Sequence, residues 1–396
     1  MRNAVSFLKY GDVAEFRNGL NFSKDSHGKG CRFIGVADFK VNFTPQWELL
    51  GEINPSGVAR KDDYLESGDI IFVRSNGNKA LVGRSLYIDR NEKSLYSGFC
   101  IRARLKTGDF LPLFLAYYTR TDAFKSAITS VAGTNINNLN QDILSNIMIP
   151  HYSIEVQKSI VDVLSSIDAK IALNNRVTAE LEAMAKTLYD YWFVQFDFPD
   201  ANGKPYKSSG GKMVYNTILK REIPVSWEFV AINDVLDIKT GKEDASFSKD
   251  NGRYHFFTCG EKVLYCDEFS FDGKAVLLAG NGTFSVKKYE GKFNAYQRTY
   301  VLMPKDEDLL APLYYEVSNK VEQFTNGSRG SIVKFITKGD IENIVIPLPE
   351  NRDLSFMSIL TKFFSESTNL YEENLRLTKL RDWLLPLLMN GQIMVK

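Results

Sequence analysis

The feature that most constrains the fold of this chain is a repeat within it. The best-matched segments are GTNINNLNQDILSNIMIP (133–150) and GSIVKFITKGDIENIVIP (330–347), each running from a glycine to the proline of an Ile-Pro pair. Apolar residues coincide in register, as in Leu139 with Ile336 and Ile147 with Ile344. A repeat of this length predicts two copies of one structural unit.

Other matched segments occur in the same order in both halves. SGDIIFVRSNG (67–77) resembles DGKAVLLAGNG (272–282), an apolar strand that ends in an Asn-Gly turn. Gly19 and Gly241 follow the segments that open each half, and a short predicted helix contains Pro112 in one half and Pro312 in the other. Loop lengths between these segments differ, which suits two different recognition surfaces; neutral drift after duplication is the alternative.

After each Ile-Pro pair the pattern changes to the heptad spacing of a coiled coil, from about residue 155 to 193 and again from about 351. The apolar seam residues of the two helices occupy the same register. They are Ile160, Leu164, Ile167, Ile171, Leu181 and Leu188 in the first helix, and Phe356, Leu360, Phe363, Leu370, Leu377 and Leu384 in the second.

The two helices are predicted to pair antiparallel, giving a pseudo-two-fold molecule with one globular domain at either end. A helix of this length measures about 55–60 Å. The seam residues Asn174, Thr178 and Asn374 either fix the register or mark solvated gaps. Pro386 is expected to kink or end the second helix, and residues 199–216, rich in Gly, Ser, Lys and Pro, form a surface connection.

Composition and motifs argue against several classes of protein. The four cysteines form no C-x-x-C pair, the three histidines lack metal-ligand spacing, and no nucleotide-binding glycine motif occurs. A nuclease site built from Asp200, Asp237 and Lys239 rests on a pattern that often arises by chance. Because these motifs are missing, we expect no catalytic residues, metal or cofactor in this chain. No leader or membrane-spanning apolar run is evident, so we expect a cytoplasmic protein.

Local charge favours DNA binding although the net charge is only +1. Both halves are basic at the equivalent place, around and after the Asn-Gly turn. Lys and Arg suit phosphates, whereas Arg, Asn and Gln suit base edges. The candidate DNA-binding residues are Arg74, Asn76, Lys79, Arg84 and Arg102 in the first half, and Asn281, Lys287, Lys288, Gln297 and Arg298 in the second.

These features together resemble the specificity subunits of type I restriction–modification systems. The most specific segments are LVGRSLYI (81–88), NIMIPHYSIEVQKSIVDVLSSIDAKIALN (146–174), LEAMAKTLYDYWF (181–193) and LRLTKLRDWLLPLLMNGQI (375–393). The first Ile-Pro segment keeps the family's glutamine, Gln157, and the second copy, IPLPENRDLSF, lacks it.

The resemblance implies an α+β fold with two mixed target-recognition domains separated by the antiparallel helices. Its domains would be 1–150 and 223–350 for target recognition, 151–195 and 351–396 for the conserved helical regions, and 196–222 for the connector. Each recognition domain would read one half of a bipartite double-stranded DNA target. The helices would set the spacer and dock two modification subunits and, through them, restriction subunits. S-adenosylmethionine, ATP and Mg would lie on those partners.

A second interpretation from a different class is a coiled-coil scaffold whose two globular domains bind protein. The near-neutral total charge suits it, whereas matched basic stretches in both halves oppose it. Strongly salt-dependent DNA binding would exclude a scaffold role.

Overall fold

The computed structural model describes residues 6–40, 42–78, 81–132, 138–217, 220–326, 335–350 and 355–395. The chain divides into two compact units, one formed by the described residues of Met1–Ile171 and Arg376–Lys396, the other by those of Ala172–Leu375. Both boundaries fall inside a long helix. Each unit therefore contains part of both long helices.

The first unit is a mixed fold. Its elements are β1 (Ser6–Lys9), α1 (Tyr10–Val13), β2 (Ala14–Asn18), β3 (His27–Ile34), β4 (Gly51–Ile53), β5 (Ile70–Val73), β6 (Ser85–Tyr87), β7 (Ser94–Tyr96), β8 (Cys100–Leu105), α2 (Pro112–Tyr118), α3 (Asp122–Ala132), α4 (Gln141–Asn146) and β9 (Met148–His151), followed by the first long helix, α5 (Ile154–Tyr189). The strands form a four-stranded sheet in the order β2-β8-β5-β6, a three-stranded sheet β4-β3-β7 and the pair β1-β9.

The second unit follows the same path. A π-helical turn (Asp190–Val194) ends the first long helix. The following elements are β10 (Met213–Asn216), β11 (Arg221–Pro224), β12 (Trp227–Ala231), α6 (Ile232–Val235), β13 (Leu236–Thr240), β14 (Tyr254–Phe257), β15 (Leu264–Cys266), β16 (Phe271–Ala279), β17 (Val286–Ala295), β18 (Thr299–Pro304), α7 (Leu310–Asn326), α8 (Lys338–Glu342), β19 (Val345–Pro349) and α9 (Ser358–Met389).

Equivalent backbone hydrogen bonds confirm the predicted repeat. Ile147 accepts from Tyr10 N at 2.8 Å, as Ile344 accepts from Ile232 N at 3.1 Å. Gly19 N donates to Cys100 O at 3.0 Å, as Gly241 N donates to Thr299 O at 3.1 Å. The predicted pairing of Ile147 with Ile344 and of Gly19 with Gly241 therefore holds in three dimensions.

One pairing shifts by a residue. β5 and β16 occupy the same place beside β8 and β18, where Val73 faces Cys100 and Ala279 faces Thr299. Aligning the two Asn-Gly turns instead pairs Arg74 with Ala279. The strands therefore correspond one residue away from the sequence pairing, and the turns that follow them differ in length.

The sheets differ because β17 is continuous. Its first residues pair with β16 and its last three pair in parallel with β14, so the second unit has one six-stranded sheet, β13-β18-β16-β17-β14-β15. In the first unit, residues 88–93 separate β6 from β7, so the counterpart of β17 is broken into two strands. β3 pairs in parallel with β7 and does not join the sheet that contains β6. This interruption divides the corresponding strands between two sheets.

The helices pair antiparallel within each unit. In the first unit, the Tyr152 hydroxyl, just before α5, donates to Met389 O at 2.9 Å, and Asp168 further along α5 pairs with Arg381 at 2.8 Å. Residue numbers therefore increase along α5 in the direction in which they decrease along α9. In the second unit, Asn174 of α5 donates to Asn374 of α9 at 2.9 Å, and beyond the other end of this segment the Trp192 ring lies 5.3 Å from that of Phe356. The expected antiparallel direction is confirmed in each unit.

The seam residues join the cores of the units they contact. Ile160 and Leu164 belong to the core of the first unit, and Leu360 belongs to that of the second. The remaining seam residues are buried or half-buried, namely Ile167, Ile171, Leu181, Leu188, Phe356, Phe363, Leu370, Leu377 and Leu384. Helix α9 ends at Met389, three residues beyond Pro386.

Gln157 fastens the start of α5 to the first unit. Its side chain is completely buried, and its amide nitrogen donates to Asp109 O at 2.8 Å and Tyr152 O at 2.9 Å. Its amide oxygen accepts from Leu111 N at 2.8 Å. A buried amide that satisfies three hydrogen bonds fixes the helix direction. The second copy of this junction lies partly in 351–354, outside the described residues.

Candidate DNA interface

In the first unit, three candidate residues gather where β5 leaves its sheet. Val73 N donates to Arg84 O at 2.8 Å, so Arg84 lies beside the end of β5. Arg74 and Asn76 are half-buried and Arg84 is exposed. The Asn76 side chain accepts from Asn78 N at 2.8 Å, which stabilises the turn. Lys79, also predicted to bind DNA, lies outside the described residues.

In the second unit, four candidates gather around a loop at residues 258–261. Lys287 Nζ donates to Gly260 O, and Cys259 Sγ contacts Arg298 O at 3.3 Å. Gln297 and Arg298 are exposed in the turn between β17 and β18, whereas Asn281 is half-buried. Burial lowers the pKa of Lys287.

The two groups lie at the same end of equivalent sheets. Gly280 N donates to Arg298 O at 2.9 Å, and Arg74 N makes the equivalent bond to Phe99 O at 2.8 Å. Ile336 N likewise donates to Gly280 O as Leu139 N donates to Arg74 O, both at 2.8 Å. Arg74 is thus structurally equivalent to Gly280, and Phe99 to Arg298, so the two groups share a location although their individual residues do not correspond.

Arg102 does not belong to this surface, and its assignment as a DNA-binding residue is wrong. Its side chain is 1% exposed. The guanidinium donates to Asp62 O at 2.8 Å and to Glu15 at 3.1 Å. A buried arginine held by these acceptors cannot reach a phosphate or a base. The basic stretch also includes Arg104, whose guanidinium pairs with Asp69 at 2.7 Å, so part of its charge is structural.

Lys288 also lies away from the loop at 258–261. Successive residues of a strand point to opposite faces, and Lys288 therefore faces the long helices. Its ammonium group pairs with Glu182 of α5 and lies 5.3 Å from the ring centroid of Tyr314 and 4.8 Å from that of Phe364. The side chain is 12% exposed. Its position indicates a packing role.

Two exposed phenylalanines, which sequence reasoning missed, lie beside the candidates. Phe99 is 57% exposed and bonds to Arg74 through its backbone; Phe335 is 62% exposed and forms a β-bridge with Asn281. Apolar side chains beside basic and amide groups can pack against bases or wedge between them. Phe99 follows Gly98, and Phe335 precedes the buried Ile336. Neither position has a sequence pattern that predicts an exposed aromatic side chain.

The described residues contain no group of three or more His, Cys, Asp or Glu side chains suited to hold a metal ion. Across the helices of the described part, none combines the length and apolar character needed to span a bilayer.

Comparison with known proteins defines the family. The model of the type I restriction modification DNA specificity domain matches residues 4–183 and 224–377, once in each half of the repeat. The chain belongs to this family. Its two matches extend from each mixed domain into the long helix that follows, so the family unit includes both parts.

Two curated specificity subunits are similar to this chain. The type I restriction enzyme EcoDI specificity subunit of Escherichia coli is 38% identical over 180 residues, covering 43% of this chain and 40% of that protein. The MjaIX specificity subunit of Methanocaldococcus jannaschii is 24% identical over 420 residues, covering 98% of this chain and 93% of that protein. The first similarity is thus local, and the second extends over nearly the full length.

A solved structure shows the same fold. The type I restriction–modification S subunit from M. genitalium superposes with a TM-score of 0.63 at 13% identity, covering 98% of this chain and 97% of that one. The predicted fold class, mixed domains that repeat and continue into long helices, is confirmed.

Proposed function

We propose that this chain is the non-catalytic DNA-specificity subunit of a type I restriction–modification complex. The observation that carries the proposal is that both halves match the family's specificity domain and present basic and amide side chains at the same end of equivalent sheets. Different loops at matching places are what two half-sites of different sequence require.

Each domain would read one half of a bipartite double-stranded target. Arg74, Asn76 and Arg84 would contact the first half-site, and Asn281, Lys287, Gln297 and Arg298 the second. Arginine and amide side chains can recognise base edges in the major groove, while lysines contact phosphates. The exposed Phe99 and Phe335 add apolar contacts at the same edge.

The helices would hold the spacer between half-sites and dock two modification subunits, through which restriction subunits join. The partners would carry S-adenosylmethionine, ATP and Mg, and this chain would bind no cofactor. Such a complex would act on DNA in the cytoplasm.

The test is co-expression of the chain with its modification subunit, followed by mapping of adenine methylation across a host genome. A methylated bipartite motif with a fixed gap is expected, and it must disappear when this chain is omitted. Genomes without methylation, in cells where the two proteins form a stable complex, would contradict the proposal and favour a scaffold.

A further inference from the structure

Gly83 and Arg84 of the segment LVGRSLYI (81–88) lie at a turn that packs against α3. Gly83 adopts a φ of +83°, and a Cβ there would lie 2.8 Å from Ile128 Cδ1 of α3. Its N–H donates to Val73 O at 2.9 Å. Glycine therefore lets this turn pack directly against α3, and Arg84 follows at a fixed position.

Arg84 lines a pocket of about 350 Å³ in the first unit. Four of its lining residues are cationic, and we name it the basic pocket by them: Lys40, Arg84, Arg120 and Lys125. None of the described residues that line it is acidic. Lys125 pairs with the exposed Asp122 at 2.9 Å, outside that lining. The excess positive charge is therefore concentrated in a concave surface.

Backbone carbonyls hold the two guanidinium groups of the basic pocket in place. Arg84 donates to Lys40 O, and Arg120 donates to Asn42 O at 2.9 Å. The hydroxyl oxygens of Ser85 and Thr119, which also line the pocket, lie 2.8 Å apart. Thr119 also donates to Ala116 O at 2.8 Å, so the hydroxyl pair is satisfied within the protein and supports the pocket wall. The guanidinium forks, held by the carbonyls, are the groups suited to bind phosphate oxygens.

The surrounding charges distinguish this pocket from its neighbour. Burial lowers the pKa of Arg120, and the positive charges of Arg381 and Arg84 act in the same direction, whereas Asp168 and Asp382 oppose them. The adjoining cleft shares Arg120 and Lys125 with the basic pocket and adds Arg381. It also contains the carboxylates of Asp122, Asp168 and Asp382, so its formal charges balance, whereas the basic pocket has cations alone. An anion bound in the basic pocket would offset the repulsion between Arg84 and Arg120.

We propose that the basic pocket binds a phosphate group of the DNA backbone beside the first half-site. This inference rests on the proposed function. Lys40, Arg84 and Lys125 are exposed at the pocket, so a duplex can reach them. Arg84 also lies beside the end of β5, which Arg74 and Asn76 follow, and this places the phosphate contact next to the base-reading candidates. A backbone contact there fixes the position of the duplex without selecting a sequence.

The experiment measures binding of the full-length chain to a fluorescent duplex of mixed sequence over a range of salt concentrations. Arg84→Gln and Lys40→Gln are each expected to weaken binding roughly fivefold to tenfold at about 0.1 M salt. Each should also reduce the slope of log Kd against log salt concentration by about 0.9. Arg84→Lys should retain most of the slope. Lys61→Gln, an exposed lysine of the same unit, is the matched control and should change neither quantity.

The outcomes separate this inference from the proposed function. A wild-type chain that shows no salt-dependent DNA binding, either alone or in complex with its modification subunit, contradicts the proposed function itself. Wild-type binding, together with Arg84→Gln and Lys40→Gln slopes equal to that of Lys61→Gln, overturns the pocket assignment alone. Thermal melting of each variant verifies folding.

A separate arm distinguishes DNA from a free anion. Inorganic phosphate is added at constant ionic strength, and the melting temperature is followed for the wild type and Arg84→Gln. Stabilisation of the wild type alone, combined with an unchanged DNA slope in the variant, would show a free-phosphate site and overturn the DNA assignment. A reduced slope in the variant supports the backbone contact.

Discussion

Lys287 and Lys288 are neighbours on one strand, yet their environments differ. Lys287 contacts the loop at 258–261 beside Arg298, whereas Lys288 is enclosed by Glu182 and two aromatic rings. Because side chains alternate along a strand, a pair of adjacent cations cannot both face a duplex. Their basic character is therefore shared, but their roles are not.

Single substitutions should separate these roles. Lys288→Ala is expected to lower the free energy of unfolding by about 1–2 kcal/mol, since an ion pair and two cation–π contacts are lost. Methylation should keep its motif. Lys287→Ala should leave the melting temperature nearly unchanged and relax methylation at the second half-site only. A relaxed second half-site in Lys288→Ala, with normal stability, would contradict this division.

Glu316 gives the second unit a pH-dependent stability. The Tyr189 hydroxyl donates to its carboxylate. Burial raises the pKa of Glu316, while the bond from Tyr189 and the charge of Arg221 oppose the rise. A carboxyl whose pKa is raised on folding binds more protons in the folded chain. Its presence therefore stabilises the folded state most at low pH, and this contribution is lost as pH rises through the folded pKa.

Glu316→Gln removes this titration and keeps an acceptor for Tyr189. The melting temperature of the variant relative to wild type is expected to increase from about pH 4 to pH 7, because only the wild type must bury a charge. Glu222→Gln, at an exposed position of the same unit, is the control. A difference that stays constant over this range, or that decreases with pH, would refute the assignment.

At the scale of elements, the seam of the helices contains a polar contact. Asn174 is buried, and its amide donates to Asn374 at 2.9 Å and to Glu373 at 2.7 Å. Asn374 in turn donates to the exposed Asn175 at 2.8 Å. Of the two alternatives that the sequence left open for Asn174, the structure shows a hydrogen-bonded polar pair, which supports a role in helix register.

Asn174→Leu should therefore destabilise the second unit by about 1–2 kcal/mol, because the acceptors opposite lose their donor in a buried site. Asn174→Leu combined with Asn374→Leu should recover part of the loss, since an apolar pair replaces the polar pair while Glu373 still loses the bond from Asn174. Asn175→Ala serves as the control and should cost less than about 0.5 kcal/mol. Urea unfolding measures all three, and a double variant weaker than Asn174→Leu would contradict the argument.

The elements differ in how well sequence predicts them. Helix α5 was expected from about 155 to 193 and spans Ile154–Tyr189 with a π-helical turn after it, because heptad spacing is a local property of the chain. The split of one sheet into two was not predicted, since it depends on the interruption at 88–93 and on which strands then pair. Strand pairing joins residues far apart in sequence.

The candidate interface shows the same limit. Residue type correctly grouped Asn281 with Arg298 beside a turn. It could not separate exposed Arg84 from buried Arg102, because an arginine in a strand is basic in sequence whether it meets solvent or Glu15. The prediction that Lys288 binds DNA was wrong for the same reason. Burial is decided by tertiary packing, which local composition does not contain.

For the whole molecule, near-neutral charge and DNA binding are compatible. The chain has 49 Lys and Arg against 48 Asp and Glu. Ion pairs such as Arg104 with Asp69 neutralise part of the positive and negative charge within the units. The basic pocket, by contrast, is lined by four cations and by no acidic residue among those described. Counterion release responds to this local charge, because it depends on the phosphates that are contacted.

The long helices also make a prediction for the whole molecule. Both pass from one compact unit to the other, α5 after Ile171 and α9 after Leu375. Inserting one heptad in each helix at these points keeps the apolar register and adds about 10 Å, equivalent to roughly three base pairs of B-DNA. If the helices set the spacer, the methylated motif should keep both half-sites and gain a longer gap.

A heptad inserted in α5 alone is the control, since unequal helices lose the antiparallel contacts that each unit shows between them. This variant should assemble poorly or methylate weakly. Genome-wide methylation mapping measures both cases in the co-expressed complex. An unchanged gap in the double insertion would mean that another part of the assembly determines the spacing, whereas changed half-sites would mean that the helices alter base reading itself. A longer gap between unchanged half-sites would assign spacing to the helices and sequence to the two mixed domains.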